Sequence, residues 1–231
     1  MNMSIYSAVA TGDNMGMIQV VPDSETTATI QKERGGARAA LFKNKTLEKW
    51  MRAQNPQEDL FQYAVENFVL SCAAYCVGTY VIGLGDRHND NIMITKTGQL
   101  FHIDFAYVLG NFLKFGLYKR ERAPFVLTPE FVHVMGGEKG ANYDRFKSLC
   151  CFAYNILRQH AHLLITLFIL MLNTGLTQMN KAEDLQHLRK AFALELEDKE
   201  AAAEVMRLVA YSLHCKTTQV NFAIHILAHP D

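Results

Sequence analysis

From Gln57 to about Ile82, apolar side chains fall on nearly every face of a helical wheel, which predicts a long helix buried on all sides. Ahead of it, Thr46 to Gln54 predicts a short helix. It stops at Asn55-Pro56, because the residue before proline avoids the helical region. Met15 to Val21 (MGMIQVV) predicts a strand ending at Pro22, and Asp23 to Gly36 a short helix with turns. Asn91–Thr95 and Gln99–Phe105 are strand-like around Lys96-Thr97-Gly98, which reads as a hairpin. Phe105 to Leu127 is polar and basic without a clear period. Thr128-Pro129-Glu130 then gives a helix start: a hydroxyl N-cap, proline at the first helical position and an acid in the first turn. Beyond it the pattern is helical over Pro129–Met135, Tyr143–Asn173, Ala182–Ala193, Lys199–Leu213 and Thr217–Ala228, punctuated by Gly136-Gly137 and Gly175. The expected fold class is mainly α with a small β-hairpin.

Composition narrows the class. The chain has 231 residues, 49% hydrophobic and 20% charged, enough for a sizeable core in one large domain or two small ones. Lys plus Arg equals Asp plus Glu at 23 each, so net charge points neither to nucleic acid nor to a membrane, and no nucleic-acid partner is expected. The five cysteines, Cys72, Cys76, Cys150, Cys151 and Cys215, lie in apolar helical stretches. They read as reduced, buried thiols of a cytoplasmic protein. Cys72 and Cys76, at i and i+4, would give one edge of a metal site, but no second pair has zinc-like spacing. Residues 1–20 carry Asp13 and many polar groups, with no secretory signal. Phe68–Leu84 and Leu163–Leu172 are expected to be core helices rather than membrane spans, which need about 20 apolar residues.

The chemistry concentrates between Gly83 and Phe105 (GLGDRHNDNIMITKTGQLFHIDF). A polar loop carrying Asp86, Arg87, His88, Asp90 and Asn91 precedes the hairpin, and the hairpin leads to Asp104. Hard oxygen donors for Mg²⁺ beside a group that can accept a hydroxyl proton suit phosphoryl transfer. Protein kinases use H-R-D-x-x-x-x-N followed by D-F-G. Asp86 and Asn91 keep that Asp-to-Asn spacing and Asp104-Phe105 supplies the D-F, but the triplet runs Asp-Arg-His.

This inverted triplet resembles the phosphoinositide 3-kinase and 4-kinase superfamily, whose signature is G-x-G-D-R-H-x-x-N followed by H-I-D-F. Gly83–Asn91 and His102–Phe105 match it, and the resemblance extends over nearly the whole chain, including Gly35–Phe42, Trp50 and the terminal segment Thr217–His229. It implies the C-lobe of a protein-kinase-like α+β fold. Residues 1–22 would be the end of an N-lobe and the hinge, and 23–231 a helical C-lobe with a catalytic loop at 83–91 and an activation loop at 102–128. It also implies ATP and Mg²⁺ as cofactors. Gln19, Val20 and Val21 would bind adenine over a floor of Met93 and Ile103, and Asn91 and Asp104 would hold Mg²⁺. Asp86 and His88 are both candidates for orienting or deprotonating the inositol hydroxyl. His88 is preferred because a neutral imidazole accepts a proton near pH 7. Arg87 is expected to organise the loop as an ion-pair partner.

The segment after Asp104 bears on the substrate. Lys114, Lys119, Arg120 and Arg122 are cations suited to an anionic headgroup, with Glu121 the one acid among them. Lys119–Phe125 (KRERAPF) resembles the activation loop of class I and class II phosphoinositide 3-kinases, which favours a lipid over a protein substrate. Ala123, Gly136–Lys139, Cys150-Cys151 and Asn221-Phe222 look more like class II, so phosphatidylinositol or its 4-phosphate is expected over the 4,5-bisphosphate. The motif's glycine is Ala106 here, followed by Tyr107, and altered catalysis is expected. No phosphate-binding loop or N-lobe lysine precedes the hinge, and Gly35-Gly36 comes too late to serve. The chain alone is therefore expected to bind ATP poorly and to work within a longer protein, with its own N-lobe, upstream domains and room for a regulatory subunit. Peripheral recruitment to plasma or endosomal membranes is implied. Val220, Phe222, Ala223, Ile226 and Leu227 in the last helix form a stripe that could meet lipid or the lobe core. The alternatives are a superfamily Ser/Thr protein kinase and an inactive regulatory fragment.

Overall fold

The computed structural model describes residues 3–33, 44–112, 114–115, 118–119, 122–172, 174 and 185–229, with backbone pairing alone at 114–115 and 118–119. The predictions at Gly35–Phe42, Arg120, Asn173, Gly175 and Ala182 fall outside these residues. Helices dominate, as the apolar periodicity implied, and a small antiparallel sheet sits against them.

The long helix forms as predicted. Helix α3 (Glu58–Ile82) has fifteen buried residues, including Phe61, Phe68, Cys72 and Val81. It packs against α5 (Ala141–Gln159) and against strand β5 (Leu100–His102). Gly83 ends it at φ 60°, where a β-carbon would stand 2.5 Å from the Gly110 nitrogen. Glycine is needed there on both counts. Helix α2 (Thr46–Gln54) has the predicted bounds. Helix α4 (Pro129–Val134) starts as predicted, with the Thr128 hydroxyl accepting from Phe131 N at 3.3 Å. Helices α8 (Asp198–His214) and α9 (Lys216–Ala228) run within a residue of the predicted segments.

Elsewhere the pattern misled in physically clear ways. The strand at Met15–Ile18 (β2) has a partner the sequence did not announce, β1 at Ala8–Gly12. The predicted helix at Asp23–Gly36 opens instead with a strand, β3 (Ser24–Thr26), before α1 (Thr27–Glu33). β3 pairs with β4 (Ile92–Thr95), and β4 with β5, so the hairpin becomes a three-stranded sheet. Three residues are too few for a period to show. Two-residue strands, β6 (Lys114–Phe115) and β7 (Tyr118–Lys119), pair within the segment expected to be loop.

The single helix expected over Tyr143–Asn173 is two, α5 and α6 (Ala161–Met171), with His160 at the joint. Arg158, two residues before the joint, anchors the end of α5 to the segment that follows α6 in the described chain. It donates to Phe192 O in the last residue of α7 (Gln186–Phe192) and to Ala193 O and Leu196 O beyond it, and pairs with Asp198. The core reading of Leu163–Leu172 is also corrected. In α6 only Ala161 and Ile165 are buried, while Leu163, Leu167 and Leu170 are exposed. Helix α3 alone among the described helices is long and apolar enough to cross a membrane, and most of it is buried inside the protein. In α9 the apolar stripe divides: Phe222, Ala223 and Ile226 are buried in the core, and Val220 and Leu227 face out with Ile224. The cysteines are free thiols, Cys72, Cys76 and Cys150 buried, with 3.9 Å between Cys72 Sγ and Cys76 Sγ.

Candidate active site

The loop between α3 and β4 is fixed by its own backbone groups. Asp86 adopts a left-handed conformation, φ 55°, and a one-turn 3₁₀ helix at Asn89–Asn91 closes the loop into β4. Arg87 is buried at its centre. Its Nε donates to Gly85 O at 2.7 Å, one terminal nitrogen to Ile103 O at 2.7 Å, and the other to Asp104 O. These bonds tie the loop to the segment after β5 through backbone carbonyls. Ile103 N also donates to Asn91 O at 3.1 Å, which places Asp104 one residue beyond a direct backbone link to Asn91.

The predicted polar residues converge on this frame. Asn91 Nδ2 donates to Asp86 O at 2.9 Å and lies 3.0 Å from His88 Nε2. Asp86 O can only accept, so it fixes the amide nitrogen towards it; His88 Nε2 must then accept from the same nitrogen. Nε2 lies 3.8 Å from Asp86 Oδ2. An unprotonated ring nitrogen thus sits among the loop's polar groups.

Asn91 and Asp104 fit a divalent cation. The two hydrogen bonds of the Asn91 amide run through nitrogen and leave Oδ1 as a donor to metal. Asp104 is exposed, and Ala106 N donates to its Oδ1 at 3.1 Å, which orients the carboxylate. These are hard oxygens of the kind Mg²⁺ takes. Asp104 itself carries the positive φ, 57°, whereas Ala106 is not among the residues with positive φ. The glycine-to-alanine change in the motif therefore meets no backbone strain here.

Of the expected adenine contacts, Val21, Met93 and Ile103 are half-buried at the edge of the core, and Gln19 and Val20 are exposed after β2. Gln19 N donates to Ser7 O at 2.8 Å. Tyr6, ahead of β1, reaches strand β5. Its hydroxyl donates to His102 O at 3.0 Å, and burial raises its pKa while Arg87 draws it down. Its signal, a lone tyrosine ahead of an unrecognised strand, was too weak to find. An open apolar cleft of about 440 Å³ between Met3–Tyr6 and α3 ends at Phe105. It holds none of the predicted catalytic residues. Of the basic residues, Lys114 and Lys119 are cross-strand partners and Arg122 is exposed.

Behind the loop lies a buried polar chain that the sequence did not reveal. Asn89 Nδ2 donates to Gln31 Oε1 at 2.8 Å, and Gln31 Nε2 to Glu130 Oε2 at 2.7 Å. Leu47 N, in the first turn of α2, donates to Glu130 Oε1 at 2.9 Å. Thr27 Oγ1 donates to Asn89 O at 2.8 Å. Burial pushes the Glu130 carboxyl up to about 7, against the pull of Gln31 and Leu47 N. His102, under Tyr75, is held neutral: burial drops its pKa to about 3.

A mainly helical lobe carrying this Asp-Arg-His loop and an Asp-Phe turn is the layout of a kinase-type phosphotransferase. Residues 1–181 match the family model described as phosphatidylinositol 3- and 4-kinase. Over 229 residues, 99% of the chain, it is 49% identical to phosphatidylinositol 3-kinase 1 of Dictyostelium discoideum, and covers 15% of that protein. It is 50% identical to phosphatidylinositol 3-kinase 2 of the same organism over 97% of the chain and 12% of that protein. It is 43% identical to the human phosphatidylinositol 4-phosphate 3-kinase C2 domain-containing subunit beta over 99% of the chain and 14% of that protein. The chain belongs to the phosphatidylinositol 3- and 4-kinase family. It spans 15% or less of the length of these relatives.

Proposed function

We propose that the chain is the metal- and substrate-binding lobe of a phosphatidylinositol 3-kinase, moving the γ-phosphate of ATP to the 3-hydroxyl of phosphatidylinositol or its 4-phosphate. The observation that carries this reading is the meeting of Asp86, His88 and Asn91 on one loop with Asp104 one residue past the Asn91–Ile103 backbone bond. Residues 1–22 would end an N-lobe and form the hinge, with Gln19–Val21 against adenine and Met93 and Ile103 beneath it.

Asn91 Oδ1 and the Asp104 carboxylate would hold Mg²⁺, which when bound neutralises charge on the nucleotide phosphates. His88 Nε2, kept unprotonated by the Asn91 amide, would take the inositol hydroxyl proton, and Asp86, whose backbone carbonyl accepts from the same amide, would position the site. Arg87 holds both halves of the site in register. Lys114, Lys119, Arg120 and Arg122 would receive the anionic headgroup at a membrane surface, to which a cytoplasmic protein is recruited peripherally. The names of the relatives, two of them 3-kinases and one a 4-phosphate 3-kinase, agree with this substrate class.

The test is a lipid-kinase assay of the full-length protein on vesicles carrying phosphatidylinositol, its 4-phosphate or its 4,5-bisphosphate. The first two should be phosphorylated fastest, at the 3-position. A preference for the bisphosphate, or phosphate transfer to protein alone, would overturn the assignment.

A further inference from the structure

Around the proposed proton acceptor, His88, two further ligating groups come together that phosphoryl transfer does not use, Asp90 and His225. His225, on α9, is 135 residues from Asp90 in sequence, yet its Nε2 lies 2.7 Å from Asp90 Oδ2. Its ring stacks on that of His88, centroids 3.9 Å apart and planes 12° from parallel. One ligand atom from each of His88, Asp90 and His225 lies within 4.8 Å of the others. The side chains are 14%, 33% and 12% exposed, so a bound ion would be partly shielded yet reachable. Thr26 Oγ1 donates to Asp90 Oδ1 at 3.1 Å, the kind of outer hydrogen bond that orients a ligating carboxylate.

Two imidazoles and a carboxylate are a zinc donor set, with a fourth position left for water or an anion. Mg²⁺ prefers oxygen alone and keeps its waters. The donor set therefore separates this cluster chemically from Asn91 and Asp104. With zinc bonds of about 2.0–2.2 Å, tetrahedral ligand atoms stand roughly 3.3–3.5 Å apart. Because lone pairs of near-parallel rings do not converge on one ion, joint ligation turns one of the two stacked imidazoles about its Cβ–Cγ bond and out of the stack.

The geometry points to a zinc site formed by His88, Asp90 and His225, which fastens the last helix to the catalytic loop. Zinc bound there occupies a ring nitrogen of His88 and so opposes phosphoryl transfer. That consequence rests on the function proposed above, whereas metal binding does not.

The experiment is a Zn²⁺ titration of the metal-free 231-residue chain under reducing conditions, followed by calorimetry and thermal melting. Wild type should bind zinc and melt several degrees higher with it. His225→Ala should bind at least tenfold more weakly and gain no melting temperature, and Asp104→Asn should behave as wild type. Zinc binding unchanged by His225→Ala, or abolished by Asp104→Asn, overturns the site. Ring-nitrogen NMR of the wild type guards against a misfolded variant. Zinc must move the His88 and His225 signals together, and a titration that moves neither also overturns it.

Discussion

Successive residues of one short loop face two different environments. His88 and Asn91 turn towards the polar site, while Asn89, between them, is fully buried and bonded to Gln31 and through it to Glu130. The outward set is assembled around an accepting ring nitrogen and the Asn91 amide. The inward set bonds to other secondary-structure elements, α1, α2 and α4, and of the Asn89 side chain only Oδ1 is buried without a partner. The outward residues can change charge without disturbing the core, and the inward ones cannot. Chemistry and stability are thus carried by alternate side chains of the same turn.

The sharpest test of that division is on the outward side. Asp104→Asn keeps the hydrogen bond from Ala106 N, and at φ 57° the backbone is left-handed. Asparagine tolerates that conformation. The change removes charge from the proposed metal ligand. Lipid-kinase turnover of the full-length protein should fall by roughly 10²–10³-fold or more, the scale for losing one preorganised electrostatic group. His88→Gln should cost on the order of 10²–10⁴-fold, the range for a general base. Urea melts of both should stay within about 0.5 kcal/mol of wild type. A large loss of stability in either would erase the distinction.

The inward side should respond the other way. Asn89→Ala leaves Gln31 Oε1 without its donor in a buried position. That costs about 1–3 kcal/mol. Equilibrium unfolding should report the loss. Turnover per folded molecule should fall much less than in Asp104→Asn.

Glu130 sharpens the comparison through pH. Its folded pKa, about 7, lies above the ordinary carboxyl value of 4.5. The folded state therefore holds a proton that the unfolded chain has already lost, and Glu130 favours folding fully below about pH 4.5 and progressively less up to about pH 7. The swing is roughly 3 kcal/mol, at about 1.36 kcal/mol per pKa unit. Unfolding free energies at pH 5 and pH 7 should diverge less in Glu130→Gln than in wild type. An equal difference in the two proteins would mean Glu130 is not the buried acid described.

This division also explains what the sequence could convey. Asp86, Arg87, His88, Asn91 and Asp104 were legible because phosphoryl transfer demands those groups at a fixed spacing. Asn89 occupies a position the motif leaves open, and its side-chain partner Gln31 lies 58 residues away in sequence, so nothing local announced the buried chain. The sequence marks Glu130 as an acid at a helix start, whereas its partners Gln31 and Leu47 lie 99 and 83 residues away. The long helices were legible from their period, whereas β1 and β3 depend on partner strands. Leu163–Leu172 shows the same limit from the other direction: hydropathy reports that a face is apolar, not whether anything in the chain covers it.

The smallest effect concerns Ala106, where the motif has glycine. Tolerance of positive φ is the usual need for glycine at such a turn, but here Asp104 adopts that conformation and Ala106 does not. Ala106→Gly should therefore restore no activity. It should instead cost about 0.4–1 kcal/mol, because glycine gives the unfolded chain more conformations to lose. A clear rise in turnover on Ala106→Gly would show that the turn must move to a glycine-only conformation during phosphoryl transfer. The outward side of the loop would then be less rigid than its hydrogen bonds imply.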